Sequence, residues 1–98
     1  MATKTIIELE VKAGMRDELL KALEDMHEKR KDATGFLGFA RYEVIDDPNK
    51  VVEITEWETA EARQAWLENS MALGVLNRLI GLLATPFKAV TVRQIKQT

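Results

Sequence analysis

The sequence predicts an α+β fold of four strands and two helical regions in the order βαββαβ. Three observations carry that expectation. Short stretches alternate apolar and polar residues with a period of two, longer stretches repeat their apolar residues every three or four positions, and Gly, Pro, Asp and Asn stand between them.

From Thr5 to Val11, Thr5, Ile7, Leu9 and Val11 fall on one face and Ile6, Glu8 and Glu10 on the other, the pattern of a half-buried strand. Ala13-Gly14 ends it. Met15, Leu19, Leu23, Met26 and Arg30 then form a stripe that Glu18, Lys21, Glu24, Asp25 and Glu28 avoid, which predicts a helix over about residues 14–31. Asp32-Ala33-Thr34-Gly35 stops the helix. Phe36 to Ile45, rich in aromatic and β-branched residues, reads as the second strand, and Val51 to Trp57 as the third. Between them Asp46-Asp47-Pro48-Asn49 reads as a hairpin turn, since Pro cannot continue a ladder and Asp and Asn bond their own backbone. Thr59 is placed to cap a helix containing Ala60, Ala62, Ala65, Trp66 and Leu67. Asn69-Ser70 interrupts it before a second segment, Met71 to Leu83. Pro86 closes that segment, and Phe87 to Ile95 alternates as the fourth strand. This is the split-βαβ order of ferredoxin-like folds, a four-stranded antiparallel sheet with helices on one face, built from one domain over residues 1–98.

Composition narrows the function. Fourteen basic and sixteen acidic residues give a net charge of -2, so no basic field exists to hold nucleic acid or an anionic membrane. The absence of cysteine removes disulfides, thiolate metal sites and cysteine nucleophiles, and one histidine with no carboxylate cluster leaves no metal site. The N-terminal stretch has no uninterrupted apolar core of the signal-peptide kind, and Met71 to Ala84 is too short to cross a bilayer of ~30 Å, so a soluble, cytoplasmic protein is expected.

With both helices on one face of the sheet, the other face needs a cover. The second set of side chains in each strand is mixed: Ile6 with two glutamates, Leu37 and Phe39 beside Arg41, Val52 and Ile54 beside Glu56, Val90 and Val92 beside Lys88. A contiguous apolar patch of this kind marks an interface, and a two-fold homodimer is the simplest cover.

Several landmarks then fall together: Val11-Lys12-Ala13-Gly14, Thr34-Gly35-Phe36, Asp47-Pro48-Asn49, Glu56-Trp57-Glu58 and Leu82-Leu83-Ala84-Thr85-Pro86. With this order of elements, the chain resembles the antibiotic biosynthesis monooxygenase family of dimeric α+β barrels. The resemblance implies a pocket between sheet and helices for a small aromatic or quinol-like molecule, whose own enolate or phenolate gives an electron to dioxygen without a cofactor. It equally admits an isomerase, or a non-catalytic or stress-associated binding protein, on the same fold. Haem-degrading relatives carry an axial histidine where this chain has Leu76.

Trp57 stands at the family's Trp position, either as an indole donor to a substrate oxygen or as core bulk. Glu53, four residues earlier on the same face, is either a proton acceptor or the partner of a nearby arginine; some family members carry Asn near this point. His27, the only histidine, is either a proton shuttle or a surface group at the flank of the first helix. Gly74, Asn77, Arg78 and Gly81 share one side of the last helical segment, which either receives a ligand, with Asn77 as donor, or faces water. Phe39, Tyr42, Trp66 and Met71 are the expected pocket walls, Trp66 and Met71 taking places where many relatives carry His.

Overall fold

A computed structural model describes residues 2–96, with the backbone only at Ser70 and Met71. Seven elements follow one another: β1 (Thr3–Glu10), α1 (Arg16–Arg30), β2 (Phe36–Val44), β3 (Asp47–Trp57), α2 (Ala60–Leu67), α3 (Ser70–Gly81) and β4 (Lys88–Val92). The strands form one antiparallel sheet in the order β2-β3-β1-β4, the expected ferredoxin-like topology.

Helix α1 starts after the turn at Gly14, whose φ of +79° suits a residue without Cβ. Met15 gives it no side-chain cap; Asp17 and Glu18 in the first turn and His27, Lys29 and Arg30 in the last complement its dipole. The expected stripe is the buried one: Leu19, Leu23, Met26 and Arg30 face the sheet together with Ala22. They meet Leu9 and Val11 of β1 and its extension, Val51 of β3, and Val75, Leu79 and Leu83 from α3 and the segment after it. Thr59 caps α2 as expected, accepting from the Ala62 amide at 3.0 Å.

Several strand boundaries differ from the expectation, two of them by three residues or more. The β2–β3 turn is only Ile45-Asp46, and β3 already begins at Asp47, so Pro48 lies within it. Pro48 is tolerated there because the β2 ladder jumps from Glu43↔Val51 to Val44↔Asp47, which leaves residues 48–50 bulged away from β2. Asp47 still makes its local bond, accepting from the Asn49 amide at 3.0 Å. Strand β4 ends at Val92 rather than Ile95.

Faces are set by register. Thr3, Thr5, Ile7 and Leu9 of β1 and Val51, Glu53, Thr55 and Trp57 of β3 lie under the helices. A bulge in β2 passes Leu37 and Gly38 opposite a single β3 step, which puts both Phe36 and Phe39 on the covered side with Arg41. The mixed set expected at Leu37, Phe39 and Arg41 therefore does not share the open face. Tyr42 does: it pairs with Val52 and is more than half exposed. Across the open face runs an apolar row, Ala40, Ile54, Ile6 and Val90, in register through all four strands. Lys4 beside Glu56 and Glu8 beside Lys88 flank it. No described helix is long and apolar enough to cross a membrane.

Gly35 is the tightest joint. At φ +83° its missing Cβ would lie 2.7 Å from the Ala62 Cβ of α2, while its carbonyl accepts from the Glu58 amide at 2.7 Å. Gly35→Ala should therefore cost about 1–3 kcal/mol in urea unfolding, from backbone strain and the clash with α2. Gly74→Ala, in the interior of α3 with open space around its Cβ position, should gain about 0.5–1 kcal/mol in the same measurement.

Candidate active site

The candidate site is a cavity of about 470 Å³ between the covered sheet face and the helices, large enough for a small ring system. Ile7 and Leu9 of β1, Leu23 and Met26 of α1, Leu76 and Leu79 of α3 and Phe87 give it an apolar wall. Trp57 and Trp66 add two indoles, their ring centres 6.3 Å apart. The polar lining is Glu53, Thr55, Arg30, Arg63, Gln64 and Glu68. Helix α2 supplies much of the last wall, yet it buries none of its own residues, which is what leaves the space beneath it unfilled.

Glu53 is almost fully buried, and an ionised carboxylate in that position requires partners. It has two. Arg30 Nη1 donates to Oε1 at 3.1 Å, while Arg41 approaches Oε2 with Nε at 3.1 Å and Nη2 at 3.0 Å. Arg41 Nη1 reaches outward to Glu24 Oε1 at 2.7 Å, so the charges alternate from the interior to the surface. The Arg41 hydrogen bond and charge hold the Glu24 carboxyl below its ordinary range. Burial pulls the Arg30 guanidinium below its usual range, opposed by the Glu53 charge. Phe36 and Phe39 lie against the Arg30 guanidinium at 4.8 and 5.6 Å from ring centre to Cζ, and Phe39 also packs at 4.8 Å from Arg41.

Trp57 is fully buried, edge-on to Phe36 at 5.0 Å, and its Nε1 donates to Thr55 Oγ1 at a long 3.3 Å. Trp57, Glu53 and Trp66 thus come together at the cavity. Four other candidates do not. His27 is partly exposed and stacks against Phe39 at 4.4 Å, outside the cavity wall. Asn77 sits on the water-facing side of α3 with Gly74 and Gly81, and nothing approaches either glycine, so the stripe is a solvated face and Asn77 is no pocket donor. Phe39 supports the arginines rather than lining the cavity, and Tyr42 lies on the opposite face of the sheet. The side chain of Met71 is outside the described residues.

Arg30, Arg41 and Arg63 enlarge the set of site residues. For Arg30 the signal was visible: a charged residue on an otherwise apolar helical stripe. Arg63 carries no comparable mark, because α2 lacks a buried stripe to set it against. Among the described residues no cluster of His, Asp and Glu could hold a metal ion.

Truncating Glu53 to Ala leaves Arg30 buried without its counter-charge, so urea unfolding should show a loss of about 3–5 kcal/mol. Glu24→Gln, at the exposed end of the same chain of charges, should leave the midpoint nearly unchanged near neutral pH. The Glu24–Arg41 tie is present above the ordinary carboxylate range and is lost as pH falls through the lowered value, so the two proteins should converge further in acid.

The profile of the antibiotic biosynthesis monooxygenases matches residues 4–74. Solved structures share the fold over nearly the whole chain. A provisionally assigned antibiotic biosynthesis monooxygenase from Nitrosomonas europaea has a TM-score of 0.88 at 23% identity, over 99% of this chain and 93% of that one. A conserved protein from Methanosarcina mazei Go1 has a TM-score of 0.90 at 14% identity, over 97% and 94%. A variant of SnoaB, a cofactor-independent oxygenase from Streptomyces nogalater, has a TM-score of 0.84 at 19% identity, over 96% and 95%. No curated protein matches the chain in sequence. At such identities the structural likeness speaks for the fold, while the profile match, which spans most of the sequence, speaks for descent: the chain belongs to the antibiotic biosynthesis monooxygenase family.

Proposed function

We propose that this chain is a dimeric, cofactor-independent oxygenase that takes a small aromatic, quinol-like molecule into the cavity between sheet and helices. The observation that carries the reading is the cavity itself: about 470 Å³, apolar on most sides, with two indoles and a buried charge cluster at one end. An apolar enclosure keeps water from a reactive carbanion or phenolate, and fixed donors steady the oxyanion that develops. With an anthrone that has given a proton to solvent, the substrate anion passes an electron to dioxygen, the two radicals combine to a peroxide anion, and this takes a proton back from water and loses water to leave the quinone. Trp57 is placed to turn its N–H from Thr55 toward a substrate oxygen, since the bond it now makes is long. Glu53 acts through the arginines it holds, which engage both of its carboxylate oxygens.

A non-catalytic binding protein is the second reading, and one observation favours it: neither His27 nor Asn77 reaches the cavity, and Glu53 is occupied. Oxygen uptake across a panel of hydroquinones and anthrones separates the two. The oxygenase predicts uptake proportional to protein, with kcat/KM falling by about 10²-fold or more in Trp57→Phe if its N–H serves the oxyanion. Saturable binding without uptake on any member would leave the binding protein.

The same proposal assigns the open sheet face to a second copy of the chain. Its apolar row is flanked by charges of both signs, a pattern that can match itself across a two-fold axis. Sedimentation at micromolar concentration should give twice the 11.1 kDa chain mass, and Ile54→Glu in the middle of the row should return it to one.

A further inference from the structure

Two arginines line the cavity, and the buried ion pairs use only part of their capacity. Arg30 is 3% exposed and spends Nη1 on Glu53; its Nε and Nη2 have no hydrogen-bond partner among the described residues. Both nitrogens are sealed from solvent, so Arg30 is a fixed part of the wall and not a docking point. The phenyl rings of Phe36 and Phe39 meet the cation over their faces, which leaves the N–H groups unsatisfied.

Arg63, on α2, is half-buried in the same wall and makes no ion pair among the described residues. Burial and the repulsion of Arg30 both hold its guanidinium below the ordinary range. Glu53 and Glu24 answer Arg30 and Arg41, and the exposed Glu68 of the same wall accepts from Gln64 at 3.2 Å, so Arg63 stands beside the apolar hollow with no ion-pair partner among the described residues.

We infer that the cavity takes a flat hydrophobic acid, its ring body between Trp57, Trp66, Leu9 and Leu79 and its carboxylate on Arg63. This names the chemical class of the ligand and rests on the reading of the cavity as the ligand site. Arg63 sets the preference for the anion, because it is the arginine of the wall that makes no ion pair among the described residues.

Calorimetric titration of the intact protein with 2-naphthoate and with its neutral isostere 2-naphthamide tests this. The expected result is a dissociation constant for naphthoate at least about tenfold below that for the amide, a gap that narrows as salt is raised. Arg63→Gln should remove most of the gap while changing the amide's affinity by less than about twofold, and Arg63→Lys should keep part of it. Arg63 has no partner to strand, so its replacement should not disturb folding, which far-ultraviolet circular dichroism checks. Equal affinity for both probes, or a preference that survives Arg63→Gln, would overturn the inference and leave the cavity standing as an apolar binding site. If neither probe binds, the inference and the reading of the cavity as a ligand site fall together.

Discussion

A carboxylate in the middle of the helix-covered sheet face governs much of this structure. Glu53 sits between Val51 and Thr55 on β3, under α1, where an isolated charge would cost far more than the net stability of a small domain. The arginines that answer it come from different elements, the last turn of α1 and the middle of β2, and so its pairing ties helix, edge strand and central strand to one point. Such a cluster adds little stability over an apolar core of the same shape. It adds position: the end of α1 cannot slide along the sheet without breaking a buried ion pair.

The cavity lies next to this fixed point because the two halves of the molecule pack differently. Helix α1 fills its half of the covered face with Leu19, Ala22, Leu23 and Met26, and α3 contributes Val75 and Leu79. Helix α2, with no buried residue, spans the remainder like a beam over a gap. One wall of the resulting hollow is rigid and charged, and the opposite wall is light and amphipathic. Rigid charges with a removable cover are a workable arrangement for admitting an apolar molecule and then excluding water from it.

Much of this was legible in the sequence. Periodicity located every element, and four of the five residues of the expected α1 stripe, Leu19, Leu23, Met26 and Arg30, are buried, while Met15 falls just before the helix and Ala22 joins them. Trp57 and Glu53 could be placed on one face from their spacing alone. What could not be read came from local breaks in periodicity. The β2 bulge at Leu37-Gly38 returns Phe39 to the same side as Phe36, an odd spacing that no period-two rule anticipates. The register shift that excuses Pro48 from the ladder is a break within the β2–β3 pairing, at Glu43 and Val44, that strand alternation does not signal. The glycine side of α3 looked like a docking stripe because two helical glycines are costly, yet it faces water, and nothing in the structure explains why they are there. Arg63 needed the cavity to be seen at all.

The weak attachment of α2 also bears on when the cavity is accessible. A helix of eight residues with no fully buried side chain gives up little burial when it opens locally. Ligand passage would need no more than this one element to swing or fray. A molecule held by Arg63 and Trp66 would bridge α2 to the sheet, so occupancy and local order rise together. With Arg63 as the anchor, gate and binding wall would be the same two turns of helix, and slow release would be the natural consequence of tight binding there.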